Sequence, residues 1–264
     1  MKTTIRGLAE LRSLVPATSD APGAIVVAFV GAGGKTSAMF ALARSLASSG
    51  LRILVTTTTR ILDPDSASER EGKGFGTVLI LPDASAPASI ERLRSVGPCV
   101  VLGSGRDEAR KLSGIDPKAI SALKSLFDVV LVEADGARGL SIKAPAHYEP
   151  VMPPYCSAIV GLIGLDALGT ALDGRIAYKP ELFGPLVSCA PGEEISPEHL
   201  LRLVASPQGL FKGAPSGALR IVVLNKADIV SQDLADDCAS ALTAATAADA
   251  IVVGAFGDST SGGI

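Results

Sequence analysis

The chain has 264 residues, 47% of them apolar, with a net charge of −3 and an isoelectric point of about 5.5. That balance supports one sizeable folded domain and excludes a disordered chain or a nucleic-acid binder driven by a basic surface. Trp is absent and aromatics make up 4%, so the core must be aliphatic, as it is around buried parallel strands.

In chain order, residues 1–6 are polar and carry no secretory pattern, and residues 8–14 read as a short amphipathic helix. Residues 24–30 are a continuous apolar run ending in glycines, the pattern of a central strand buried on both faces. A helix over 36–49 follows, with Met39, Phe40, Leu42, Ala43 and Leu46 as its apolar stripe and Gly50 as its stop. Residues 52–56 form a second strand, and the polar stretch 63–74 reads as an exposed loop. Further strands are expected at 77–81, 98–102, 128–133, 158–162, 219–224 and 251–254. Helices are expected at 89–94, 117–127, 197–204 and 231–247.

This alternation predicts an α/β fold with a doubly wound, mostly parallel sheet, and the glycine-rich run Gly31-Ala32-Gly33-Gly34-Lys35-Thr36-Ser37 between its first strand and helix makes it of P-loop NTPase type, as a single domain over residues 1–264. Residues 145–215 are dense in proline and read as a lid or insertion running over the surface. Cys99, Cys156, Cys189 and Cys238 are far apart, which argues against a disulfide framework or zinc site and for a reducing cytoplasm. No apolar run approaches a membrane span, so neither membrane nor nucleic acid is an expected partner.

Three motifs carry chemistry. In Gly31-Ala32-Gly33-Gly34-Lys35-Thr36-Ser37, the glycines let backbone amides close around phosphate oxygens at a helix start. Lys35, expected at the loop's surface, supplies charge for the outer phosphates, and the Thr36 hydroxyl is placed for Mg2+. Phe29 occupies the position of the usual first glycine, which leaves the shorter G-x-G-G-K-T form. Residues 128–136 run through four apolar positions into Glu133 and Asp135, acids placed to hold magnesium or orient a water; alone, an Asp-Gly turn explains them equally. Asn225-Lys226-Ala227-Asp228 follows a strand and matches the guanine-reading element N-K-x-D, whose Asp accepts two hydrogen bonds that adenine cannot offer; a helix cap is the alternative.

Arg138 and Lys143 lie beyond the acidic strand end and could meet phosphates or an anionic substrate. The hydroxyl row Thr56–Thr59 ends the second strand on the same side and could ligate magnesium or phosphate. His147 and Glu149 offer two ligands to a metal, which falls short of a site.

The segments F-V-G-A-G-G-K-T, L-V-E-A-D-G-A-R-G-L-S-I-K-A-P-A, V-G-L-I-G-L-D-A-L-G, K-P-E-L-F and V-L-N-K-A-D together resemble the YqeC family. Its members are described as accessory proteins of selenium-dependent molybdenum hydroxylases. The resemblance runs over residues 24–254, and residues 133–146 are its most specific part. It implies a nucleotide-using protein that assists a molybdenum hydroxylase or its cofactor-assembly machinery. A broader similarity is to the metallocentre-assembly GTPases, through Glu133, Gly136 and Asn225-Lys226-Ala227-Asp228. The expectation is therefore a Mg2+-dependent NTPase using GTP in preference to ATP. The alternatives are an ATP-dependent ligase or kinase acting on a small anionic substrate, whose loop resembles that of the Mur ligases, and a nucleotide-gated binding protein without turnover.

Overall fold

The computed structural model describes residues 3–15, 24–64, 76–245 and 248–256. Most of the loop expected at 63–74, and the last two residues of the helix expected at 231–247, lie outside them. Nine strands form the central sheet: β1 (Thr3–Arg6), β2 (Ile25–Gly31), β3 (Ile53–Thr57), β4 (Thr77–Ile80), β5 (Cys99–Gly103), β6 (Val129–Glu133), β7 (Ala158–Gly164), β8 (Leu219–Asn225) and β9 (Ala250–Val253). Their order is β1-β9-β8-β7-β2-β6-β3-β5-β4, and every adjacent pair is parallel. Among the described residues the α-helices are α1 (Leu8–Leu14), α2 (Lys35–Ala47), α3 (Pro87–Ser95), α4 (Ala119–Leu123), α5 (Pro180–Val187), α6 (Pro197–Ala205) and α7 (Gln232–Ala245). This is the doubly wound α/β architecture that the strand–helix alternation predicts.

Burial explains the strand composition. β2 is buried along its whole length because both faces are covered. Val27 and Phe29 face α1 and α2 with Leu11, Met39, Leu42 and Leu46. Ala28 and Val30 face the opposite layer with Phe183, Leu200 and Leu242, from α5, α6 and α7. A third cluster packs Leu93 of α3 and Leu123 of α4 against Val26, Leu54 and Val130. Alternate side chains of one strand thus feed cores on the two sides of the sheet.

The chain leaves β2 toward β3 on one side and later builds β7, β8 and β9 on the other. The carboxyl end of β2 is therefore the place where the winding reverses, the usual location of a ligand crevice in open α/β sheets. The Pro-rich segment 145–215 does not lie over a finished sheet, as expected for a lid. Its residues 158–164 are the strand next to β2, and Phe183, Val187, Leu200 and Leu203 are core residues. Proline marks the connections here: Pro180 and Pro197 open helices, where the missing N–H costs nothing. Two small sheets complete the fold. Residues 60–62, 105–106 and 111–113 pair antiparallel, and Ile142–Lys143 pairs parallel with Ala177–Tyr178.

Candidate nucleotide and metal site

The sheet delivers Gly31, Glu133, Gly164 and Asn225 to one edge, because β2, β6, β7 and β8 all end there. The glycine-rich loop passes between these strand ends with no room for side chains. A Cβ on Gly31 would stand 2.4 Å from the Leu162 carbonyl oxygen, and one on Gly33 2.3 Å from Gly164 N. Both have positive φ, 87° and 89°. Their amides are already bonded: Gly31 N to Asp135 Oδ2 at 3.0 Å, Ala32 N to Leu162 O at 3.0 Å and Gly33 N to Leu140 O at 2.8 Å. The amides expected to cradle phosphate at Gly31, Ala32 and Gly33 thus shape the loop. The first amides of α2, which have no intrahelical partners by geometry, are the donors that remain for an anion, along the half-buried Gly34, Thr36 and Ser37.

Lys35 is not at the loop's surface as expected. It is 5% exposed, and its Nζ donates to the Gly31 carbonyl at 2.6 Å and lies 3.1 Å from Asp135 Oδ1. Burial by itself lowers the pKa of this ammonium, but Asp135 and Glu133 outweigh it and hold the value above the ordinary lysine range. Asp135 is the hub of the site. Its Oδ2 accepts from Gly31 N and lies 3.2 Å from Lys143 Nζ, so it sits between two lysines. Lys143 is itself buried, donating to Glu149 Oε2 at 2.7 Å and to the Gly136 carbonyl at 2.8 Å. Glu149 therefore turns inward to Lys143 and away from His147, which is exposed against Tyr148. Burial tends to raise the Glu149 pKa, but the bond and charge of Lys143 prevail and lower it.

Glu133 is arranged differently. It is buried, and its Oε2 accepts a hydrogen bond from Thr36 Oγ1 at 2.8 Å. Burial raises its pKa, and Lys35 and the Thr36 hydroxyl offset only part of that. The two acids thus separate in role: Asp135 is neutralised by fixed lysines, while Glu133 shares a hydroxyl at the start of α2. The expected threonine row is used internally. Thr56 donates to Leu102 O at 2.8 Å, Thr57 to Glu133 O at 2.9 Å and Thr58 to Val151 O at 2.7 Å.

Asn225 uses both ends of its amide. Its Nδ2 donates to the Gly33 carbonyl at 2.7 Å, and its Oδ1 accepts from Phe256 N at 2.7 Å. It thereby fastens the end of β8 to the glycine-rich loop. Lys226, at φ 62°, donates to Ser141 Oγ at 2.8 Å and Asp166 Oδ2 at 2.7 Å, so its ammonium is held beside the residues that follow β7. Asp228 is exposed, one turn beyond the strand. Arg138 is exposed at φ 51°, with its guanidinium 5.6 Å from the centre of the Tyr178 ring. Ser141, Asp166 and Tyr178 were not singled out from sequence, and Glu149 was named only as a metal ligand beside His147, not as the partner of Lys143. Only the place of Ser141 within the specific 133–146 stretch and of Asp166 just after β7 could have pointed to them; nothing local marks Tyr178.

The family model described as "YqeC protein" matches residues 27–181. The chain is also similar to "Uncharacterized protein YqeC" of Escherichia coli (strain K12), at 33% identity over 204 residues, 76% of this chain and 75% of that protein. The matched span holds the glycine-rich loop, the Glu133–Asp135 strand end and Lys143. The chain belongs to the YqeC family.

Proposed function

We propose that this is a P-loop nucleotide-binding protein, a Mg2+-dependent NTPase favouring GTP over ATP, that assists maturation of a selenium-dependent molybdenum hydroxylase or its cofactor. One observation carries the reading of the site. The Thr36 hydroxyl and the buried Glu133 carboxylate lie 2.8 Å apart at the first turn of α2, beside a loop whose glycines are fixed by contacts to two neighbouring strands. Thr36 and Glu133 fit Mg2+: both are hard oxygen ligands, and a carboxylate that burial disfavours gains from a cation. When bound, the ion would supply charge neutralisation for the outer phosphates.

The chain's own residues would do the rest. The α2 amides hold the phosphates, and Lys35 exchanges the Gly31 carbonyl for a phosphate oxygen while Asp135 keeps it oriented. Asp135 also holds Lys143, and through it Glu149 and Gly136 O, which joins phosphate occupancy to residues 136–149. A ligand shifts such a network only by contacting it differently in its two states, and the loss of the Lys35–Gly31 bond is that difference. Asp228 would read guanine from its exposed position beyond β8, with Asn225 fixing the distance between the base-reading strand and the loop. The hydroxylase client rests on the family resemblance.

The experiment has two arms. Hydrolysis of GTP is measured with Mg2+ for the parent and for Glu133→Gln, which is expected to lose turnover more than affinity. In cells, deleting the gene is expected to leave a molybdenum hydroxylase synthesised but inactive. Equal turnover in both proteins would remove the role given to Glu133, and full hydroxylase activity in the deletion strain would remove the client.

A further inference from the structure

Beside the glycine-rich loop lies a second recess that the nucleotide reading does not use. The parallel pairing of Ile142–Lys143 with Ala177–Tyr178 sets Tyr178 directly opposite Lys143. The buried Lys143 ammonium lies 5.5 Å from the centre of the Tyr178 ring, which ties the recess to the network around Asp135. Two more cations surround the ring, Arg138 at 5.6 Å and Lys179 at 5.5 Å. Lys179 also donates to the Tyr148 hydroxyl at 2.9 Å. Both Arg138 and Lys179 are non-glycine residues held at positive φ, 51° and 56°. Backbone of that kind is costly and persists where the surroundings demand a particular direction of the side chain.

Arg138, Tyr178 and Lys179 line a recess of about 400 Å3, with the exposed Glu181 also on its wall. The recess shares Gly174, Pro180 and Glu181 with a larger cavity of about 1120 Å3 between α5 and residues 188–193. Of the charged side chains in that cavity, Arg175 and Asp173 pair with each other, Glu193 is held by a backbone amide, and Glu181 is exposed at the wall shared with the recess. Arg175 Nε donates to Asp173 Oδ2 at 2.7 Å, and Glu193 Oε2 accepts from Ala190 N at 2.7 Å. What remains of the wall is apolar or small, as at Leu172, Pro185 and Pro191.

This is not a metal site, although Cys189, Glu193 and His199 bring ligand atoms within 4.8 Å of one another. His199 Nδ1 accepts the Ser196 backbone N–H at 3.1 Å, which leaves Nε2 as the ring's N–H donor, facing Glu193 at 3.7 Å. Burial also raises the pKa of Cys189, which keeps it a thiol.

We infer that the joined recess and cavity bind a second small molecule, an organic anion. Its phosphate or carboxylate lies against Arg138 and Lys179, and its apolar body fills the cavity beside α5. A cluster of cations on an aromatic wall suits an anionic group held next to the nucleotide's outer phosphates. A mostly apolar cavity with a few convergent polar groups at one end suits the body of such a molecule. This binding site stands whether or not the glycine-rich loop takes a nucleotide. If it does, the two ligands meet across Tyr178 and Lys143.

The test uses the full chain and two probes of one shape, anilinonaphthalene sulfonate and the uncharged N-phenylnaphthylamine, followed by fluorescence. Lys179→Ala is expected to weaken the anionic probe by about tenfold and leave the neutral one unchanged, since one charge-assisted contact is lost. Ala190→Trp, at the rim of the cavity, is expected to weaken both. Binding of a fluorescent GTP analogue, measured on the same variants, is expected to stay at the parent's level, which separates this site from the loop. The inference is overturned if neither variant alters the anionic probe, or if Lys179→Ala weakens both probes alike. Failure of the parent to bind the GTP analogue, with the probe pattern intact, would remove the nucleotide reading and leave this pocket standing.

Discussion

Replacing Lys143 by Met should destabilise the protein severely, although it removes no apolar contact. The Lys143 ammonium is 1% exposed and lies between two carboxylates, Glu149 Oε2 at 2.7 Å and Asp135 Oδ2 at 3.2 Å, with the Gly136 carbonyl at 2.8 Å. Methionine fills similar volume but leaves Glu149 with only the Ala146 amide at 3.2 Å, and Asp135 with Lys35 and the Gly31 amide. Removing one partner of a buried ion pair costs about 3–5 kcal/mol, because the charge left behind is uncompensated. Folding stabilities are roughly 5–15 kcal/mol, so the loss is a large share of the whole. Lys35→Met should cost less, about 1–3 kcal/mol, because Asp135 keeps Lys143 and the Gly31 amide. The assay is urea unfolding followed by far-ultraviolet circular dichroism, without nucleotide. With a slope of about 2–3 kcal/mol per molar urea, the Lys143→Met midpoint should fall by roughly 1–2 M. Adding Glu149→Gln should recover part of the loss by removing the orphaned charge. A Lys143→Met midpoint within 0.3 M of the parent, taken as an order-of-magnitude margin of about 1 kcal/mol, would refute the buried network.

Other outcomes follow from the same geometry. Gly33→Ala places a Cβ 2.3 Å from Gly164 N at φ 89° and should unfold the loop or cost several kcal/mol, roughly 2–4; Gly136→Ala, with open space around it, should fall within about 1 kcal/mol of the parent by the same urea assay. Asn225→Ala should cost about 1–3 kcal/mol and weaken triphosphate binding, because the Gly33 carbonyl and the Phe256 amide both lose a partner, and an unchanged titration would place Asn225 outside the site. The Glu133 pKa is raised, so the folded state holds its proton longer than the unfolded chain. Its contribution to stability is full below the ordinary carboxyl range and is lost as pH rises through the raised value. Glu133→Gln should therefore flatten the stability–pH curve on that limb, while in the parent Mg2+ affinity rises over the same window; a parallel curve in the variant would contradict this. Glu149 has the opposite sign: its contribution is present above the ordinary carboxyl range and is lost as pH falls through its lowered value.

The central sheet was legible because its buried strands are continuous apolar runs, with β2, β6 and β8 each ending in a chemical motif. Edge strand β1 was not, since it has only four residues, one of them apolar (Ile5), and its register is set by β9, almost the whole chain away. Helix α5 carries Gly184 and Pro185 inside it, which hides its periodicity, and the structure resolves the conflict by burying Phe183 and Val187. Pro density at 145–215 suggested a surface lid because proline reports on connections and not on what lies between them. In the site, residue types were legible and their burial was not. Lys35 read as a surface charge and Lys143 as a contact to phosphates or an anionic substrate, and only the fold brings Asp135 and Glu149 to them. The glycines of the loop read as phosphate contacts, but their close neighbours are the ends of β7 and β8, which no local pattern announces.

The most direct measurement is a calorimetric titration of the full chain with GTP and with ATP, each with Mg2+, repeated on Lys35→Ala under conditions where circular dichroism shows it folded. Saturable binding is expected in the parent, tighter for GTP, and its loss in the variant, because the ammonium that would compensate the outer phosphates is gone. No saturable binding of either nucleotide to the parent, or equal affinity in parent and variant, would contradict it.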